Sequence, residues 1–168
     1  MPCAHRWRIV LICSIFLTAC GSVLPPAALT NLSRDQIVER LGPPDTQRSL
    51  ADGTVRLEFP TGPQGRQTWF VYLDAAGRAL RAEQVLTEQT FNRVKPGMAQ
   101  DAVRELLGRP GETRTLGRSR GVVWAYRYDN PFCQWFQVEI AIDGTVRSAG
   151  YGEPPECDRR PNEIILVP

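Results

Sequence analysis

A single histidine, a single lysine and five cysteines are the residues of this 168-residue chain that bear most directly on chemistry. His5 lies in a leading segment expected to be cut away, which leaves a working protein with no histidine. That excludes histidine-ligated metal sites and every nucleophile–histidine pairing. Lys95 stands before Pro96 in a turn that ends a helix, a poor setting for Ser–Lys catalysis. Carboxylates such as Asp74, Glu83 and Glu88 are scattered, and no calcium-loop spacing connects them. Gly62-Pro63-Gln64-Gly65-Arg66 lacks the Gly-Lys-Ser/Thr ending of a phosphate loop and reads as a hairpin loop. No catalytic residue, metal ligand or cofactor is therefore expected.

The cysteines divide by position. Residues 1–8 carry His5, Arg6 and Arg8 without an acid, and Ile9 to Leu17 form an apolar run. A bilayer-spanning helix needs about 20 residues, so the pattern reads as a signal peptide over residues 1–19. Leu17-Thr18-Ala19-Cys20 resembles a bacterial lipobox, which implies an acylated Cys20 as the new first residue. Two or more acyl chains hold a protein to a membrane stably where one does not. Residue 21 is Gly rather than Asp, which under the lipobox resemblance favours the outer membrane over retention at the inner one. Removing Arg6 and Arg8 leaves 18 bases against 18 acids, a balance poorly suited to nucleic acid.

Cys3 and Cys13 leave with the signal and Cys20 takes the lipid, so Cys133 and Cys157 remain as an even pair in an oxidising compartment. A disulfide between them is expected. It would close a loop of about 25 residues and contribute on the order of 3 kcal/mol in the chain-entropy model.

The elements that must position these residues come in two similar passes. Ser33-Arg34-Asp35-Gln36-Ile37-Val38-Glu39-Arg40-Leu41-Gly42-Pro43-Pro44 aligns without a gap to Ala99-Gln100-Asp101-Ala102-Val103-Arg104-Glu105-Leu106-Leu107-Gly108-Arg109-Pro110. Each segment has the apolar spacing of a short amphipathic helix, and each ends on Gly with Pro close behind. Ser33 and Gln36 make a capping box, whereas Ala99 offers no cap. Period-two alternation predicts strands after each helix. The first pass has Val55-Leu57-Phe59, Trp69-Val71-Leu73 and Leu80–Val85. The second has Trp124-Tyr126-Tyr128, Phe136-Val138-Ile140-Ile142 and Val146–Tyr151. Such alternation predicts antiparallel sheets with one face on a core. Thr87 to Met98 holds a short leading helix with Phe91 and Val94 inward; in the first pass this helix is reduced to Ala27–Leu32.

Arg93-Val94-Lys95-Pro96-Gly97-Met98, the Leu106-Leu107-Gly108-Arg109-Pro110 helix end, Trp124-x-Tyr126, Phe136-x-Val138 and Asp143-Gly144 resemble the SmpA/OmlA family of BamE-like outer-membrane lipoproteins. The likeness spans about residues 87–152 and echoes at 31–85. It implies an α+β fold of two tandem units, each two helices on a three-stranded antiparallel sheet. A tandem pair of this kind is also similar to the β-lactamase inhibitory proteins. The expected organisation is a signal peptide at 1–19, a lipidated tether at 20–30, a degenerate unit at 31–86, a second unit at 87–152 and a tail at 153–168. The resemblance implies a non-catalytic binding or scaffold module on the periplasmic face of the outer membrane. It would have a protein partner in the envelope and a role in outer-membrane protein assembly or envelope integrity. The alternative is an inhibitor of a periplasmic or secreted enzyme.

Three aromatics are candidates for partner binding. Tyr72 falls on the face opposite Val71 and Leu73, and is expected to be exposed. Phe132 and Trp135 flank Cys133 near a turn, and Trp135 is either packed on the disulfide or an exposed anchor. Trp124, Tyr126 and Tyr128 share a strand face expected to be core. Arg114, Arg118 and Arg120 form either a solvated surface or a contact to lipid phosphates or an acidic partner.

Overall fold

Two eight-residue helices with matching sequences end in the same way but begin differently. The computed structural model describes residues 26–61, 65–117 and 121–154. After a 3-10 turn at Pro26–Leu29, helix α1 runs over Arg34–Leu41. The backbone N–H of Gln36 donates to Ser33 Oγ at 3.3 Å, and the Ser33 N–H donates to Gln36 Oε1 at 3.0 Å, so the expected box is present. Helix α2 is one turn, Glu88–Phe91, capped by Thr87. Helix α3, Gln100–Leu107, starts at Ala99 with no side-chain cap. Helices α1 and α3 stop at Gly42 (φ 84°, ψ −174°) and Gly108 (φ 75°, ψ −160°). Only glycine enters that region of backbone space readily, and this stops both helices.

The eight strands are β1 (Thr46–Ser49), β2 (Val55–Thr61), β3 (Gln67–Leu73), β4 (Ala79–Gln84), β5 (Glu112–Leu116), β6 (Gly121–Arg127), β7 (Trp135–Ile140) and β8 (Val146–Gly152). They make two antiparallel sheets, ordered β1-β2-β3-β4 and β5-β6-β7-β8. The expectation of three strands per sheet is thereby corrected to four. The additional strands, β1 and β5, read Thr-Gln-Arg-Ser and Glu-Thr-Arg-Thr-Leu. Both are edge strands without a buried face, so the apolar alternation that marks a strand is missing from them.

The layers run α1, first sheet, α2 with α3, second sheet. Ile37 of α1 packs with Leu57, Phe59, Trp69, Val71 and Leu73 on one face of the first sheet. Leu29 is buried in the same cluster, so the folded body already begins within the 20–30 segment expected to be a tether. Phe70 and Tyr72, on the opposite face, join Phe91, Val103, Leu107, Trp124, Tyr126 and Val138 in the second core. Within it Phe91 stacks on Phe136 with ring centroids 4.3 Å apart and meets Tyr128 edge-on at 5.1 Å. Every residue of β3 is buried as a result. Alternation identified the two faces of this strand correctly, but the outer one is covered by α3 rather than by water.

Candidate functional site

The seam between the first sheet and α3 is ionic. Arg56 and Glu58 lie at alternate positions of β2, facing α3, with side chains only 4% exposed. Arg56 Nη2 donates to Glu58 Oε1 at 2.7 Å, and Arg56 Nη1 donates to the Glu105 backbone carbonyl at 3.2 Å and pairs with Glu105 Oε2 at 2.9 Å. Arg48 of β1 also pairs with Glu105. Burial acts to lower the Arg56 pKa, but the hydrogen bond and charge of Glu58, with Glu105 behind it, outweigh that and raise it. The guanidinium stays charged while Nε–H has no partner, and it lies 4.3 Å over the Phe70 ring. Arg109 closes the far end of the seam on Asp45 at 2.9 Å. The sequence signal for this cluster was two opposite charges at alternate positions of a strand whose other face is apolar.

Tyr72 is the first correction among the binding candidates. It is buried, because α2 and α3 cover its face of the sheet. Its hydroxyl donates to Glu83 Oε1 at 2.8 Å, and the Arg81 guanidinium lies 3.3 Å from the ring centroid. Burial first, then the Glu83 hydrogen bond and charge, push its phenol pKa up against the opposing pull of Arg81. Tyr72, Arg81, Glu83, Thr90, Arg93 and Glu105 line a polar cleft of about 310 Å3 along the seam.

The β6–β7 loop is built differently. Asn130 Nδ2 donates to the carbonyls of Tyr128 (3.1 Å) and Gln134 (2.8 Å), while its Oδ1 accepts from the N–H groups of Phe132 (3.0 Å) and Gln134 (3.2 Å). Four hydrogen bonds from one side chain hold the loop, and Phe132 projects from it 71% exposed. Trp135, three residues on, is buried with the Arg127 guanidinium 4.1 Å over its ring. The exposed-anchor alternative for Trp135 is thus corrected, and the structure leaves Phe132 alone of the three candidates on the surface. In the sequence Asp129-Asn130-Pro131 reads only as a turn, which does not foretell the Asn130 clamp. The candidates are not brought together: Tyr72 sits in the seam and Phe132 in a loop of the second sheet.

Trp124, Tyr126 and Tyr128 are core, as alternation predicted. Burial pushes the Tyr126 phenol far above its ordinary value, and its hydroxyl donates to the Gly108 carbonyl at 3.3 Å. Arg114 is exposed on β5. Cys20, Arg118, Arg120 and residues 155–168, Cys157 among them, lie outside the described residues, and with Cys157 lies the test of its bridge to Cys133. Among the described residues no group of three or more His, Cys, Asp or Glu is placed to hold a metal ion, and no helix is long and apolar enough to cross a membrane.

No family model and no curated protein sequence matches the chain. Solved structures overlap parts of it. One, described as the osmotically inducible lipoprotein OsmE, is 25% identical and covers 40% of this chain and 78% of its own, with a TM-score of 0.35. Another, described as a β-lactamase inhibitor protein from Streptococcus mutans, is 14% identical over 71% of this chain and 82% of its own (TM-score 0.32). A DUF4309 family protein, YjgB, from Bacillus subtilis is 12% identical over 73% and 78% (TM-score 0.28). Overlays this loose do not establish a common fold or role.

Proposed function

We propose that this chain is a lipid-anchored lipoprotein of the outer membrane, facing the periplasm and acting as a non-catalytic protein-binding module. The observation that carries the reading is the Leu17-Thr18-Ala19-Cys20 signature at the end of a basic-then-apolar leader. The rigid presentation of Phe132 supports the binding role. An exposed aromatic held by a pre-organised loop binds with little conformational entropy left to lose. The finer family reading is part of the same proposal, a doubled BamE-like unit over 31–86 and 87–152. It is supported by the identical strand orders of the two sheets. So is the Cys133–Cys157 bridge. Gly152 pairs with Trp135 across β8 and β7, which leaves Cys157 five residues beyond the point where the chain passes two residues from Cys133.

Mass spectrometry of the native protein, with fractionation of cells expressing the wild type or Cys20→Ala, tests this. A diacylated or triacylated Cys20 in the outer-membrane fraction, released by Cys20→Ala, is the expected result. An unmodified Met1 on a cytosolic product overturns it.

A further inference from the structure

The charges around the polar cleft of the seam do not balance. Arg48, Arg56, Tyr72 and Arg81 lie directly opposite one another across β1, β2, β3 and β4, so three arginines share one row of the first sheet. Like charges in such a row repel and need counter-charges close by. Glu58 and Glu105 supply them to Arg48 and Arg56. Glu83 pairs with Arg81 at 3.0 Å, and the same carboxylate oxygen accepts the Tyr72 hydroxyl. All three carboxylates are thereby used. Arg93, in the turn after α2, is exposed and brings a fourth guanidinium to the cleft. Among the described residues its side chain has no ion pair and no hydrogen bond. The buried Arg56 Nε–H, beside Tyr72 in the row, adds to the surplus of donors.

We propose that this cleft, between β4 and the α2–α3 layer, binds a carboxylate group, with the unpaired Arg93 guanidinium as its fork and Arg81 as the second positive charge of the lining. A planar guanidinium offers two parallel N–H donors that match the two oxygens of a carboxylate. Four guanidinium groups against three carboxylates leave one positive charge to be met. Glu83 and Glu105 stand in the same lining, so a single negative charge suits the cleft better than a phosphate dianion. Its walls are polar, which suits a hydrated acid rather than a lipid chain. A volume of about 310 Å3 is at the small end of the range for ligand sites, about 300–1,000 Å3, and has room for a small acid or the last residue of a peptide. The carboxylate is the chemistry common to both sources. Neither the lipid anchor nor Phe132 takes part in this site.

Amide NMR of the purified full chain, titrated into the millimolar range, tests the site with four probes: acetate, N-acetyl-glycyl-alanine, the same dipeptide with its C-terminus amidated, and inorganic phosphate. Saturable shifts at Arg81, Glu83, Thr90 and Arg93, given by a carboxylate and not by the amide, are expected. Arg93→Gln is expected to weaken the binding at least tenfold, as the loss of one charged pair, while Lys95→Gln, an exposed cation two residues on, leaves it within twofold. Acetate and the peptide acid binding alike assign a lone carboxylate, and the peptide acid alone assigns a peptide terminus; both support the site. The absence of saturable shifts with either acid, equal binding of the amidated dipeptide, or tighter binding of phosphate overturns the proposal in the unsubstituted chain. So does undiminished affinity in a folded Arg93→Gln chain, or a loss as large from Lys95→Gln.

Discussion

Helix α1 rests on one sheet, whereas α3 is held between two. The two share their length, their apolar spacing and their glycine stops, but differ in what fixes them. The start of α1 is secured locally by the Ser33–Gln36 box. That of α3 has no such cap; burial of Val103 and Leu107 on one side and the Arg56–Glu105 contacts on the other hold the helix. The difference shows that a short helix needs either local capping or tertiary enclosure, and that the same segment can use either.

If the ionic seam is what distinguishes α3, its loss has the largest effect. Glu58→Ala removes the buried partner of Arg56, leaving it Glu105 alone, and is expected to cost about 3 kcal/mol in urea unfolding, the low end for a broken buried pair. A cost below about 1 kcal/mol would show that α3 is held by apolar packing alone. Next come the two stops. Gly42→Ala and Gly108→Ala both force a β-carbon into a glycine-only conformation, at about 1–3 kcal/mol. Nothing lies within 4 Å of a β-carbon at Gly42. At Gly108 it meets Glu58 Oε2, Phe70 Cε1 and Thr68 Cγ2 at 3.3 Å, so that variant is expected to lie further down the same melting series.

Tyr126 and Phe59 are the core-facing counterparts on β6 and β2, and only Tyr126 can ionise. Burial raises its pKa above the ordinary value of 10.0 in the folded state. Its contribution is fully present below about pH 10 and lost as pH rises toward the folded value, because only the unfolded chain then releases the proton. Tyr126→Phe is expected to cost about 0.5–1.5 kcal/mol at neutral pH, for its hydrogen bond to Gly108, and to flatten the alkaline limb of a stability–pH curve. An unchanged alkaline limb would trace that instability to another group. Smallest are the caps. Ser33→Ala is expected to cost about 1 kcal/mol and Ala99→Ser to gain about 0.5–1 kcal/mol by thermal unfolding. Equal and negligible shifts would mean that enclosure dominates both helices.

Both main helices, their glycine stops and six of the eight strands are legible in the chain, because each is a local pattern of apolar period, cap and turn. So is the core role of Trp124, Tyr126 and Tyr128. Strands β1 and β5 are not, since neither buries a face and so neither leaves an apolar alternation. Trp135 stayed ambiguous because register near a turn is lost, and Phe132 because exposure there depends on how Asn130 folds the loop.

By itself the sequence determined that the chain has no histidine beyond His5, that it carries a lipobox-like Cys20, and that one helix-and-strand pattern occurs twice. Only the tertiary structure decided that the first sheet is buried on both sides, which takes Tyr72 out of solvent and turns Arg56 and Glu58 into a seam with Glu105. Periodicity reports that a strand has two faces, but what covers each depends on an element brought there from elsewhere in the chain.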